Sequence, residues 1–352
     1  MPNRRRRARR GGGPLGALTT LLAAGIAWEM ASRWIETLRA ERGYEYWRTY
    51  ADDAANRRAD AIRESHALRS TGVTLHVDVY PQPARGAPLV VFNHGAAGYG
   101  RMFVGLALAL HDRGYTVVLP DQRGQGLSGG VRGDSTITEC AQNVVDVTRW
   151  ASVRYGGPVF IAGGSIGGSL AYYAQAAGAP AQAIACLNLF DFGKLADGLA
   201  ISRLAPMATL PGVVRLLPAL VATAPVIGWL RVPFNWVGKF EDLVDERDVA
   251  LQAKWSADPI PPRLISVRAL ASMAVTPPAI PLEQNTIPAL VLNQGGDRMV
   301  DPAVTRRNYE RLGGPKHYVE LEGFGHWSQQ PAFSEQIVEA MDAWFRAHMP
   351  TS

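Results

Sequence analysis

The chain is poor in cysteine. Only Cys140 and Cys186 occur among 352 residues. Two cysteines build no disulfide framework, and both are read as small core residues. No CxxC and no HExxH appears, so no metal site is expected from motif spacing. Charge is also sparse, at 19% of residues against 47% hydrophobic, a globular composition. The formal charge of +5 has one source. Six arginines, Arg4, Arg5, Arg6, Arg7, Arg9 and Arg10, crowd the first ten residues, and without them the charge falls to −1. The body carries no basic surplus, so nucleic acid is not an expected partner. A long apolar run is missing too. "PLGALTTLLAAGIAW", Pro14 to Trp28, spans 15 residues, short of the about 20 that cross a bilayer.

What is present at the N-terminus is a basic flank followed by this short apolar run. That pattern fits a signal peptide over 1–27, cleaved after Ala27, or an uncleaved membrane anchor. Either form takes the protein to a membrane surface or across the cytoplasmic membrane. A basic amphipathic helix on a cytosolic membrane surface is the alternative. Residues 28–69 read as a helical lead-in rather than core.

From Thr74 the pattern alternates between apolar strands and helices. "TLHVDVY", "APLVVFNHG", "YTVVLPD", "PVFIAGGS" and "AQAIACLNLFD" are strands, separated by helical stretches that close at Gly114 and Gly156. Strands apolar throughout, alternating with helices of ten or more residues, imply a mostly parallel, doubly wound sheet covered on both faces. The alternation stops between about Phe192 and Pro288 and resumes with "IPALVLNQGGD" and "HYVELEG". The organisation is therefore a core over 70–191, an inserted helical cap over 192–286, and the rest of the core over 287–352. Within the cap, Pro206, Pro211, Pro218 and Pro225 with Arg203 and Arg215 break a long apolar stretch into short helices.

The chemistry concentrates in "IAGGSIGGSL", Ile161 to Leu170. A phosphate-binding loop needs lysine where Ser169 stands, and a dinucleotide loop needs glycine where Ser165 stands. The run instead reads GxSxG, from Gly163 to Gly167, between an apolar strand and a helix. That is the setting of a nucleophile elbow, in which a sharp turn lifts the serine hydroxyl above the strand ends. Flanking glycines give the turn clearance. A serine needs a base. His326, in "LEGFGHWSQ", follows the last strand. Asp297, in "LVLNQGGDRMVDP", follows the strand before it and would orient the histidine. Asp301, just before Pro302, reads as a helix N-cap, and Asp191 is a further rival acid. The oxyanion needs donors. The backbone N–H groups of Ile166 and Ala96 are the candidates, with His94 and Gly95 shaping the loop that carries Ala96.

With "NHGAAGYG", "PDQRGQGLSGG", "GGSIGG", "GGDRMVD" and "GFGHW" together, the chain from about Leu75 onward resembles the α/β-hydrolase superfamily. It is most similar to the monoacylglycerol lipase and lysophospholipase branch, grouped with serine aminopeptidases. The resemblance implies a serine nucleophile at Ser165, an acid at Asp297 and a base at His326. It implies oxyanion donors at Ala96 and Ile166, and a buttressing loop at Asp121–Gly124. It implies hydrolysis of a small-molecule acyl ester, lipid-like in keeping with the apolar cap, with no cofactor. The same residues would also serve an amidase, a peptidase or an acyltransferase, and a non-catalytic binding module is a further alternative. One position departs from the family: Gly164 stands before the nucleophile where histidine is usual.

Overall fold

The computed structural model describes residues 14–212 and 227–350. The arginine-rich run and the cap residues Arg215, Pro218 and Pro225 lie outside the described residues.

Eight strands form one sheet in the order β1-β2-β4-β3-β5-β6-β9-β10. They are β1 (Glu64–Ser70), β2 (Val73–Tyr80), β3 (Leu89–Asn93), β4 (Thr116–Pro120), β5 (Val159–Gly164), β6 (Ala183–Leu187), β9 (Ala289–Gln294) and β10 (Lys316–Leu321). β7 (Arg231–Pro233) and β8 (Leu264–Ser266) pair separately as a small antiparallel ribbon in the insertion between β6 and β9. From β4 to β10 all neighbours are parallel, and β1 and β2 add an antiparallel edge. β3, β4, β5 and β6 are buried at every residue, as strands covered by helices on both faces must be. The expected mostly parallel, doubly wound sheet is thus the sheet observed.

The helices before the insertion are α1 (Pro14–Arg42), α2 (Asp53–Ile62), α3 (Val104–Asp112), α4 (Ile137–Tyr155) and α5 (Ile166–Ala176). α4 begins at a reciprocal capping box between Thr136 and Glu139 and stops at Gly156, whose φ is 74°. Cys140 and Cys186 are buried and unpaired, in α4 and β6.

The helical lead-in expected over 28–69 needs correction at its end. Residues 64–70 are strand β1, in register with β2 from Glu64 opposite Val79 to Ser70 opposite Val73. Only Ala67 and Leu68 are apolar in β1, so no period-two signal marks it. Tertiary bonds define it instead: Ser65 Oγ donates to Asp78 Oδ1 at 2.5 Å and Ser70 Oγ to Asp146 Oδ2 at 2.7 Å. Nor does this region stand outside the core, because Trp47 and Ala59 are fully buried in the main hydrophobic cluster.

α1 is 29 residues long, about 43 Å at 1.5 Å per residue. It runs unbroken through Ala27 and Trp28, the predicted cleavage point. No described helix is long and apolar enough to cross a membrane. One side of α1 docks on this strand pair of the insertion through charge. The Arg231 side chain, fully buried, pairs with Glu29 at 2.8 Å and Glu36 at 2.5 Å. It also donates to Ser32 Oγ and to the Arg132 carbonyl. Glu36 in turn accepts the Arg263 and Leu264 N–H groups. Removing one member of such a cluster leaves charges buried without a partner. Arg231→Ala is expected to cost about 3–5 kcal/mol. Thermal unfolding should show this as a fall in Tm of about 4–7 °C, and an unchanged Tm would mean the cluster is dispensable.

Candidate active site

Ser165 lies between β5 and α5 with φ 56° and ψ −128°, the left-handed strain expected of a side chain lifted out of a strand-to-helix turn. Its own N–H is tied to the Leu187 carbonyl of β6 at 2.7 Å, which fixes the turn against the neighbouring strand. Glycine is needed around it for clearance. A Cβ at Gly163 would sit 2.3 Å from the Gly167 carbonyl oxygen, and one at Gly167 would sit 2.1 Å from that of Asn93. A Cβ at Gly95 would meet Ser165 Cβ at 3.0 Å, so the loop after β3 closes directly over the serine.

Gly164 is different. A Cβ there would make only ordinary contacts, with Leu187 at 3.7 Å and Phe92 at 3.9 Å. Its lack of a side chain is not demanded by the turn, and it enlarges the cavity instead. Gly164→Ala is therefore expected to keep stability within about 0.5 kcal/mol. Gly167→Ala should lose about 1–3 kcal/mol through overpacking against backbone. Chemical denaturation of the two variants checks the contrast.

His326 and Asp297 follow β10 and β9, at the C-terminal ends of parallel strands where open α/β sheets hold their sites. Both are buried, and His326 Nδ1 lies 2.7 Å from Asp297 Oδ2. The other carboxylate oxygen, Oδ1, accepts the N–H groups of Met299 and Val300, each at 2.9 Å. This leaves Oδ2 for the histidine. Ser165 and His326 line one cavity without a hydrogen bond between their side chains in this state. The rival acids are engaged elsewhere. Asp301 caps the helix Pro302–Arg311 by accepting the Ala303 N–H, as expected of an N-cap. Asp191 pairs with Arg311 and accepts the Gly193 N–H.

Among the described residues, no acceptor takes the N–H of Ala96 or of Ile166. Ile166 opens α5, so its N–H is one of the unpaired donors at a helix start. The Ala96 loop is held from behind. His94 Nε2 accepts the Gln122 N–H at 3.0 Å, so Nδ1 carries the proton and donates to the Gly95 carbonyl at 2.8 Å. Burial pushes the His94 pKa down, which keeps this tautomer neutral. Asp121 ties the same region together, accepting the N–H of Gly100 at 2.6 Å and of Leu127 at 2.7 Å. His94 and Asp121 thus support the loop.

The cavity has a volume of about 490 Å³, within the usual range for small-molecule sites. Phe92, Leu106, Leu187, Phe240, Trp255 and Ile337 give it apolar walls drawn from both the core and the insertion. Two supports from the insertion were invisible in the sequence. Asp245 accepts the N–H of Gly325, next to His326, at 2.8 Å, and the Arg247 guanidinium holds its carboxyl below the usual carboxylate range. Asp258, fully buried, accepts the hydroxyls of Tyr50 at 2.9 Å and Tyr99 at 2.8 Å. Neither lies in a motif, and only the folded chain brings them near the site.

A family model described as serine aminopeptidase, S33, matches residues 84–328. A search of curated protein sequences finds no match. Among solved structures, a monoacylglycerol lipase from Paleococcus ferrophilus superposes with a TM-score of 0.61 at 22% identity, covering 78% of this chain and 99% of its own. A soluble variant of monoglyceride lipase from Saccharomyces cerevisiae, in complex with a substrate analogue, gives 0.64 at 16% identity, over 82% and 97%. A thermostable carboxyl esterase from Bacillus coagulans, in complex with glycerol, gives 0.63 at 15%, over 81% and 98%. At these identities the likeness to the three structures is one of fold.

Proposed function

The chain belongs to the serine aminopeptidase, S33, family and is a serine hydrolase of the α/β-hydrolase fold, and on that premise we propose that it cleaves lipid-like carboxylic esters, such as monoacylglycerols or lysophospholipids, through an acyl-enzyme. Ser165 Oγ attacks the ester carbonyl while His326 Nε2 takes its proton. Asp297, bonded to Nδ1, holds the tautomer that makes Nε2 basic and stabilises the imidazolium. The N–H groups of Ala96 and Ile166 receive the developing oxyanion. His326 then gives the proton to the leaving alkoxide, and the alcohol departs. Water, deprotonated by the same histidine, attacks the acyl-enzyme, and His326 returns the proton to Ser165 Oγ as the acid departs. One observation carries the reading: a strained serine and a carboxylate-bound histidine face one apolar cavity.

The lipid-like substrate rests on the apolar walls, and the relatives of similar fold include lipases and an esterase. A membrane surface as partner rests on the arginine-rich N-terminus and on α1, where Trp28, Met30 and Trp34 are exposed. The purified protein tests the chemistry. Fluorophosphonate should label Ser165, and monoacylglycerols or lysophospholipids should turn over faster than aminoacyl anilides. Label on any other residue overturns the reading, and preferred cleavage of the anilides replaces esterase with peptidase.

A further inference from the structure

The cavity has a wall that the family match does not include. Thr49, Tyr50, Ala51 and Asp52 line it together with Ser165 and His326, yet they precede residue 84, where the match begins. Thr49 and Asp52 are exposed while lining the cavity, so the cavity reaches solvent at this point. Elsewhere its walls are mostly apolar, and two of the other polar lining residues, Lys254 and Gln329, are bonded to this same segment through Tyr46 and Tyr50. The segment therefore marks a chemical boundary, from hydrocarbon lining to a hydroxyl and a carboxylate.

This boundary is fixed in place on three sides. The Tyr50 hydroxyl donates to Asp258 in the insertion, and the Tyr99 hydroxyl, just beyond the Ala96 loop, donates to the same oxygen. The Tyr50 ring packs at 5.7 Å from Trp327, the neighbour of His326, and the Tyr50 carbonyl accepts from Gln329. The Tyr46 hydroxyl donates to the Lys254 carbonyl at 3.0 Å, and Trp47 beside it is fully buried.

We propose that Thr49–Asp52 form the rim that sets how much of an acyl chain the cavity accepts, which makes the N-terminal segment a specificity element of the site. The inference rests on the ester-hydrolase reading. Each methylene buried against the apolar walls raises kcat/KM roughly fourfold. A methylene that passes Thr49 and Asp52 enters water and adds nothing. The gain with chain length should therefore stop where the tail meets the rim. Ala51 is the position to alter, since it is small, half-buried and part of the lining.

The experiment measures kcat/KM for p-nitrophenyl esters from butyrate to laurate. Ala51→Trp fills the cavity at the rim and is expected to lower the laurate-to-butyrate ratio at least tenfold. Ala54→Trp, on the exposed side of α2 and outside the cavity, should leave that ratio unchanged. A ratio unmoved in Ala51→Trp, or moved equally in Ala54→Trp, overturns the proposal. Thr49→Trp gives the same test if Ala51→Trp fails to fold by its thermal transition. Fluorophosphonate labelling separates the two readings. Without label on Ser165 the ester-hydrolase reading falls, whereas normal labelling with an unmoved ratio removes the rim alone.

Discussion

Ser165→Ala is expected to lower ester turnover by about 10⁶-fold, the scale seen when a serine hydrolase loses its nucleophile. The substitution removes one oxygen from a position whose backbone is set by its surroundings. The Ser165 N–H bond to Leu187 and the packed glycines on either side do not involve the hydroxyl. Alanine at φ 56° carries the same strain as serine, so the fold should persist with a similar Tm. Rate and structure are thereby separable. The readouts are kcat on p-nitrophenyl butyrate, fluorophosphonate labelling and thermal unfolding. Label that persists in Ser165→Ala refutes the nucleophile. Residual turnover above water is compatible with it, because the N–H donors and the cavity survive.

Asp297→Asn should lower kcat by about 10⁴-fold with little change in stability. The reason lies in how the carboxylate is shared. Oδ1 accepts two backbone N–H groups and therefore must remain an acceptor. An asparagine would satisfy them with its carbonyl oxygen and turn its NH₂ toward His326. The amide then donates to Nδ1, which forces the histidine proton onto Nε2. That tautomer cannot take the proton of Ser165. Labelling should slow in parallel with turnover. A kcat within tenfold of the parent would mean that another group orients His326. Asp191 and Asp301 are poorly placed to do so, given their bonds to Arg311, Gly193 and Ala303.

The sheet and the site differ from the rest of the chain in how openly the sequence declares them. β3, β5, β6 and β9 are continuous apolar runs because both their faces are covered, and each ends in a loop bearing polar or glycine residues. Ser165 and Asp297 sit just past two such ends, and His326 follows the more polar β10 in a glycine-flanked loop, so strand endings and motif spacing locate the three together. β1 carries no such mark. It is an edge strand with little apolar content, held by Asp78 and Asp146 across the chain. The supports at Asp245 and Asp258 are unreadable for a related reason. An aspartate in the insertion has no telling period or spacing, and the bonds that link these two to the site span 80 and 208 residues. The role of Tyr50 is hidden likewise, since its segment reads as a polar lead-in until its ring meets Trp327.

The ion cluster around Arg231 constrains where the chain can be shortened. Glu29, Ser32 and Glu36 all lie beyond the predicted cleavage point after Ala27, so a processed form keeps every one of them. A chain trimmed to begin at the family match, or anywhere past Glu36, would lose both carboxylates that Arg231 pairs with and uncover its guanidinium on the insertion. The predicted cleavage point and the first residue of the ion cluster thus fall within a single turn of one continuous helix, so the part of α1 past Ala27 is a keystone of the fold.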